Sequence, residues 1–295
     1  MNAIRVFLKS LTLLLAAMFL SVTTLLFSTV PLMALRLTHS RTKFLAFSLI
    51  GTLFFVGVGR IELWAPFLAA VILSGTFVEV QSKGMKIVSA AFVSLLLASG
   101  MLLVAISLWA KNGSVDVVGL LSTKVDVVVQ QAAALDANLK LNTKDLIYQM
   151  PSAIIILMMI SLWVSVLWAQ KLALRSGGSI ESVSEPLSDF RVPDFIIWIF
   201  LASVMGAFFD FGNPNLRYVS MNVLNVAVVI YFFQGVSVIA TFFRLHKVGA
   251  GWQIFSYILI VLQLFLFVGF LGLVDFWADF RKRMIKKTSE RVSEV

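Results

Sequence analysis

Eight strongly apolar stretches divide this sequence, and six of its seven tryptophans lie where those stretches begin or end. The six are Trp64, Trp109, Trp168, Trp198, Trp252 and Trp277. An indole ring is broad and apolar but carries one N–H donor, so it is most stable at the level of the lipid headgroups. The placement therefore predicts a polytopic membrane protein with aromatic belts at the membrane surfaces.

The composition supports the same fold class. Hydrophobic residues make up 60% of the chain and charged residues 13%, and the mean hydropathy is +0.96. Soluble domains have about 45–50% apolar and about 25% charged residues. Because about 20 helical residues cross the hydrocarbon core once, we predict an all-α transmembrane bundle of about eight apolar helices, of which six to eight cross the membrane.

The predicted apolar helices cover residues 11–36, 44–58, 62–80, 87–109, 151–170, 194–212, 216–243 and 252–276. The second would reach only about 22 Å at helical rise, and residues 59–61 alone separate it from the third. Two short crossings and a re-entrant hairpin over 44–80 are therefore alternatives. The first apolar run is too long for a signal peptide and is expected to remain as a helix.

Two segments lie outside the predicted spans. Residues 114–147 place apolar side chains three and four positions apart, which predicts an amphipathic surface helix near 115–139. This helix would cover loops of the protein, dock a partner or anchor at the interface. The second segment, 176–193, is rich in Ser, Gly and Pro and is typical of a flexible connector.

These features predict one membrane-embedded domain over residues 1–285, with halves 1–170 and 194–276 joined by loop 171–193. A basic tail, 286–295, follows it. If all eight runs cross, 14 Lys and Arg residues lie on the side of the termini and 10 on the other. The dense basic cluster after Trp277 favours two cytoplasmic termini.

The distribution of charge and the absence of known catalytic motifs restrict the classes of function that this sequence can have. The net charge of +9 is spread over loops, which favours anionic lipid over nucleic acid as the partner. The absence of cysteine excludes disulfides and thiolate sites, and no metalloprotease, nucleotide-binding or hydrolase motif is present. We therefore expect no enzyme activity, no catalytic residue, no metal site and no cofactor.

The first helix carries a stripe of small residues at i, i+4, i+7 and i+11. Its members are Ala17, Ser21, Thr24 and Ser28. Such a stripe allows another helix to approach closely. Packing within the chain and contact with a partner subunit are both consistent with it.

The seventh span is the most polar. Polar side chains inside lipid need a partner or a function, and three amides stand out: Asn222, Asn225 and Gln234. At about 100° per residue, Asn222 and Asn225 lie about 60° apart and Gln234 about 180° from Asn225. The amides are expected either to form interhelical hydrogen bonds or to line a polar ligand cavity.

The end of the eighth span carries Asp275, Asp279 and Arg283 at i, i+4 and i+8. On one continuous helix they would form a carboxylate stripe leading into a cation. We expect this helix-end motif to fix the depth of the helix, with a weak, screened Asp279–Arg283 pair.

From the fifth span onward the chain carries the motifs of a known family. They are Met150-Pro151, Phe190-Arg191-Val192-Pro193-Asp194, Asn225, Tyr231-Phe232-Phe233-Gln234-Gly235-Val236-Ser237-Val238 and Gly272-Leu273-x-Asp275-x-x-x-Asp279-Phe280-Arg281. The chain resembles the YybS-like family of bacterial integral membrane proteins, a domain of unknown function (2232), over residues 1 to about 285.

The resemblance implies a location in the bacterial inner membrane. It also implies a fold similar to the S components of energy-coupling-factor transporters, which are helical bundles that hold a small molecule and dock on a coupling subunit. The expected function is therefore an S-component-like binding or transport subunit, with a small-molecule ligand and a coupling subunit as partners. The alternative is a non-catalytic scaffold or assembly factor in a larger complex.

Overall fold

The computed structural model describes residues 2–24, 27–59, 61–113, 115–136, 142–176 and 190–293. All regular secondary structure in these ranges is helical. The chain divides into two compact units, unit 1 (Met1–Ser184) and unit 2 (Glu185–Val295). Residues 177–189, which include most of the predicted connector, lie outside the described ranges.

Unit 1 contains seven helices in the described ranges. They are α1 (Asn2–Thr23), α2 (Thr29–Thr38), α3 (Arg41–Val58), α4 (Ile61–Ser82), α5 (Ile87–Gly113), α6 (Val117–Leu135) and α7 (Thr143–Arg175). The core forms around α2, which packs against α1, α4 and α7. Leu32 and Leu35 of α2 and Phe67 and Phe77 of α4 are fully buried. A short helix that is apolar on most sides is stable only when enclosed in this way.

The prediction of one helix over residues 11–36 is wrong, because α1 ends at Thr23 and α2 begins at Thr29. Pro31 explains the restart: its ring fits the first turn of a helix, but in a continuous helix it would clash with the carbonyl of Phe27. The hydroxyls of Thr23 and Thr24 donate to the carbonyl oxygens of Phe19 and Leu20 at the end of α1. Such back-bonding weakens a helix locally.

Unit 2 contains α8 (Ile196–Phe208), α9 (Pro214–Leu245), α10 (Ala250–Leu262), α11 (Phe265–Ala278) and α12 (Phe280–Ser293). The long helix α9 is central and packs against α8, α11 and α12. The prediction of one helix over 252–276 is wrong, because α10 and α11 meet at a bend of 99°. No Pro or Gly lies at the junction of residues 262–265, so neither of these residue types causes the bend, and α11 packs against α9.

Six described helices are long and apolar enough to cross a membrane: α3, α4, α5, α6, α7 and α9, with the bent α10–α11 pair as a possible seventh. The predicted class, a polytopic all-α bundle in contact with lipid, is confirmed. Residues 44–80 form two helices, each long enough to cross alone. Helix α8, with 13 residues, reaches only about 20 Å and is shorter than the span predicted for it.

Candidate functional site

Two glycines bring α9 and α11 into backbone contact. A Cβ atom on Gly235 would overlap the carbonyl oxygen of Val268, and one on Gly272 would overlap the carbonyl oxygen of Tyr231. Small residues permit this close approach between membrane helices. The contact places Gln234, which precedes Gly235, beside Asp275, which lies three residues after Gly272.

Gln234 and Asp275 form the centre of a buried polar network. The Gln234 Nε2 donates to Asp275 Oδ2 at 3.2 Å, and the Gln234 Oε1 accepts from the backbone N–H of Val192 at 3.1 Å. Only 1% of Gln234 and 2% of Asp275 is exposed. The amide therefore bonds to protein groups at both ends, as a buried polar group must.

Arg281 completes the network on the side of α12. Its Nη2 donates to Asp275 Oδ2 at 3.0 Å, and its Nη1 donates to the carbonyl of Phe190 at 2.7 Å and to Ser237 Oγ at 3.2 Å. The other Asp275 oxygen accepts from the backbone N–H of Phe280 at 2.9 Å. Burial removes the water around a carboxylate, and charge-assisted hydrogen bonds compensate for that loss. Gln234, Arg281 and the backbone N–H of Phe280 donate these bonds to Asp275.

Asp279 turns the chain from α11 into α12. It adopts a left-handed conformation, with φ of +46°, which aspartate tolerates better than most residues. Its carboxylate pairs with Arg191 at 3.0 Å and with Lys282 at 3.4 Å. The predicted stripe of Asp275, Asp279 and Arg283 on one helix face is therefore wrong, because the helix ends at Ala278 and the exposed Arg283 lies in the next helix.

A pocket of about 130 Å³ opens beside the network. Its lining is Arg191, Thr241, Arg244, Asp279, Arg281, Lys282 and Ile285. Four cations face one carboxylate here, so the lining is positively charged. A water molecule occupies about 30 Å³ of liquid, so the pocket is large enough for a phosphate or carboxylate group. We call it the cationic pocket.

The structure does not bring the three predicted amides into one site. Asn222 donates to the carbonyl of Tyr218 in its own helix at 2.8 Å and is half-buried. Asn225 is also half-buried and lies about 13 Å along the helix from Gln234 at helical rise. Gln234 alone belongs to the buried polar network.

The stripe of small residues in the first apolar run is interrupted. Ala17 and Ser21 are buried in unit 1, and Ser28 is buried beyond the end of α1. Thr24 is exposed, and its hydroxyl donates to the carbonyl of Leu20. The prediction of one continuous helical face is wrong because α1 ends before Ser28. The buried members pack inside the unit, which leaves only Thr24 at the surface.

A second polar cluster lies at the turn between α2 and α3. Glu79 pairs with Arg36 at 2.8 Å and with Arg41 at 3.6 Å. Nearby, Nε2 of His39 hydrogen-bonds with Ser10 Oγ at 2.8 Å. Burial, and to a lesser degree the charge of Lys43, lower the pKa of His39 below 6.5, against an opposing hydrogen bond to a backbone carbonyl. His39 is therefore neutral at neutral pH, and the cluster ties α1, α2 and α4 together.

The sequence pattern missed Arg281 as the partner of Asp275. The two residues are six positions apart, which is not a helical contact spacing, and the left-handed Asp279 between them makes the pairing possible. Arg281 does stand in the motif that carries the family resemblance, and that was the available signal. Among the described residues, no three His, Asp or Glu side chains are gathered as metal ligands.

A family model described as a predicted membrane protein (DUF2232) matches residues 6–276. No curated protein and no solved structure matches the chain. The matched segment includes Gly235, Gln234, Gly272 and Asp275, and it ends shortly before Asp279 and Arg281.

Proposed function

Because the chain belongs to the DUF2232 family of predicted membrane proteins, we propose for it a membrane function that follows from the geometry of the site. The protein acts as an S-component-like, non-catalytic binding subunit of the bacterial inner membrane. Its ligand is a small molecule with a phosphate or carboxylate group, which binds in the cationic pocket. Both termini, and with them the pocket beside α12, face the cytoplasm.

The observation that carries this proposal is the fixed position of Arg281. Asp275, the carbonyl of Phe190 and Ser237 hold its guanidinium from three directions. Holding a binding group in place before the ligand arrives reduces the entropy lost on binding. Arginine also offers a planar fork of donors that matches carboxylate and phosphate oxygens.

The charge around Arg281 supports an anionic ligand. Arg244 and Lys282 line the same pocket, and among the described lining residues Asp279 is the one carboxylate. Arg244 lies in the last turn of α9, where a long membrane helix reaches the water. An anion can therefore approach the pocket without crossing the hydrocarbon core.

Thermal unfolding in mild detergent tests the pocket, with inorganic phosphate compared against chloride at matched ionic strength and pH. A ligand that binds only the folded state raises its stability in a concentration-dependent manner. Arg244→Gln is expected to weaken the phosphate effect at least about tenfold, since a hydrogen bond to a charged group contributes about 1.5–3 kcal/mol.

Arg283→Gln is the matched control, because Arg283 is an exposed arginine of α12 outside the pocket lining. It should respond to phosphate as the native protein does. General salt-type stabilisation by phosphate acts on all variants equally, so the difference between the two variants isolates the pocket. The same phosphate dependence in all three proteins would contradict an anion site here.

The scaffold function is the second candidate, and the contacts of the amides favour it. Gln234 bonds to protein groups at both ends of its amide, and Asn222 bonds to its own helix, as expected for an interior that serves packing. Mass spectrometry after mild-detergent purification separates the candidates. A binding subunit retains a small anionic molecule that Arg244→Gln loses, whereas a scaffold retains a stoichiometric protein partner regardless of that variant.

A further inference from the structure

Helix α6 has the length and composition of a membrane span, with 19 residues, but the polar contacts of its middle are inconsistent with a crossing. Lys124 Nζ lies 3.3 Å from Glu62 Oε1, and Glu62 is the second residue of α4. The hydroxyl of Thr143, the first residue of α7, donates to the Asp126 carboxylate. The centre of α6 is therefore level with the beginnings of two other helices.

The N-terminal ends of α4 and α7 lie outside the hydrocarbon core. The first turn of α7 carries Lys144 and Asp145, and its apolar run starts only near Met150, about 10 Å further along the helix. In α4 the apolar run starts directly after Glu62. If α6 crossed the bilayer, its centre would carry these charged groups to the midplane, where they are most costly.

Three faces of α6 have different surroundings. One face packs on α7 and buries Val125. A second, about 120° away at 100° per residue, carries Thr123, Asp126 and Gln130, all exposed. The third carries large apolar side chains that nothing in the described chain covers, including Val128 at 60% and Leu135 at 91% exposed.

We propose that α6 lies in the membrane interface, with its third face in contact with lipid. That lipid-facing surface consists of Leu120, Val127, Val128 and Leu135. Lys124 lies on the same face, and its ammonium group reaches Glu62 Oε1 at 3.3 Å, as a lysine at a membrane interface can do while its apolar stem stays among lipid. Interfacial helices insert such a face about 5–10 Å into the boundary between headgroups and acyl chains. The level set by Glu62 and Thr143 places this face at that boundary. The apolar face does not cover any loop within the described residues, because its side chains are exposed there.

The proposal has a consequence for topology. A helix that stays in one interface returns the chain to the side from which it came. The end of α5 and the beginning of α7 then lie on the same side of the membrane, which is also the side where α4 begins. A crossing α6 would place them on opposite sides.

Single cysteines test this directly, because the chain contains none. Positions Val127, Val128 and Leu135 on the lipid-facing surface and Thr123 and Gln130 on the polar face are replaced one at a time and labelled with a fluorophore. The proteins are reconstituted in phosphatidylcholine–phosphatidylglycerol vesicles, and quenching by lipids brominated at different acyl depths is measured. Leu103 and Leu108 of α5, both exposed, serve as controls on a spanning helix.

We expect shallow quenching of similar depth at all three positions of the lipid-facing surface and little at Thr123 or Gln130. The α5 controls should give different depths, because they lie at different levels of a crossing helix. Depth that follows position along α6 regardless of face would show a span. Absence of lipid quenching at every α6 position would show that water or a protein covers this face. Either result overturns the proposal.

Discussion

Gly272→Ala is expected to destabilise the protein by about 3 kcal/mol or more. Overpacking of a close-packed interior typically costs about 1–3 kcal/mol, and here the added methyl group meets the backbone carbonyl of Tyr231 and the backbone N–H of Gly235. Backbone atoms cannot rotate away, so α9 and α11 must separate and strain the Gln234–Asp275 bond. Thermal unfolding in mild detergent measures the loss.

Gly269→Ala is the control on the same helix. The nearest atoms to its added Cβ, the carbonyl of Val228 and the N–H of Phe232, would lie at 3.8 and 3.9 Å, which is ordinary contact distance. The variant should be neutral or gain up to about 1 kcal/mol, because alanine favours a helix over glycine. Equal losses in both variants would contradict a backbone contact at Gly272.

Asp275→Asn is expected to cost about 3 kcal/mol, at the lower end of the range for breaking a buried ion pair. The substitution retains the shape of the side chain but leaves Arg281 charged and largely buried without a carboxylate. Asp279→Asn is the matched control, since Asp279 is a half-exposed carboxylate four residues later and asparagine tolerates its left-handed backbone. It should cost less than about 1 kcal/mol.

The stability of both variants is measured as the midpoint of thermal unfolding and as the fraction of monodisperse protein after extraction. If the two asparagine variants lose the same stability, burial does not distinguish Asp275 from Asp279, and the proposed network is not the stabilising feature of unit 2.

Apolar runs predict the positions of α5 and α9 well. They place the beginning of α7 at residue 151, eight residues after the helix begins at Thr143. They fail where a helix is interrupted within an apolar run. The break before Thr29 has a local cause in Pro31, which the sequence contains. The bend after Leu262 has no such residue at its junction, so the apolar pattern gives no sign of it.

The sequence predicts only part of the candidate site, because its residues come together where helical periodicity is interrupted. The helical spacing of Asp275, Asp279 and Arg283 predicts that the three side chains share one face. That prediction would be correct if α11 continued beyond Ala278. The left-handed Asp279 redirects the chain, so that Arg281 reaches Asp275. Gln234 could be identified as a polar residue that needs a partner, but its partners, Val192 and Asp275, come from segments distant in the chain.

A double-mutant cycle on Asp275 and Arg281 tests the central claim most directly, with the stabilities of Asp275→Asn, Arg281→Gln and the double variant compared with the native protein. If the two charges form one buried pair, the double variant loses much less stability than the sum of the single variants, because no uncompensated charge remains. Residues without direct interaction give losses that add within about 0.5 kcal/mol. Additive losses would contradict the network and, with it, the fixed position of Arg281 in the cationic pocket.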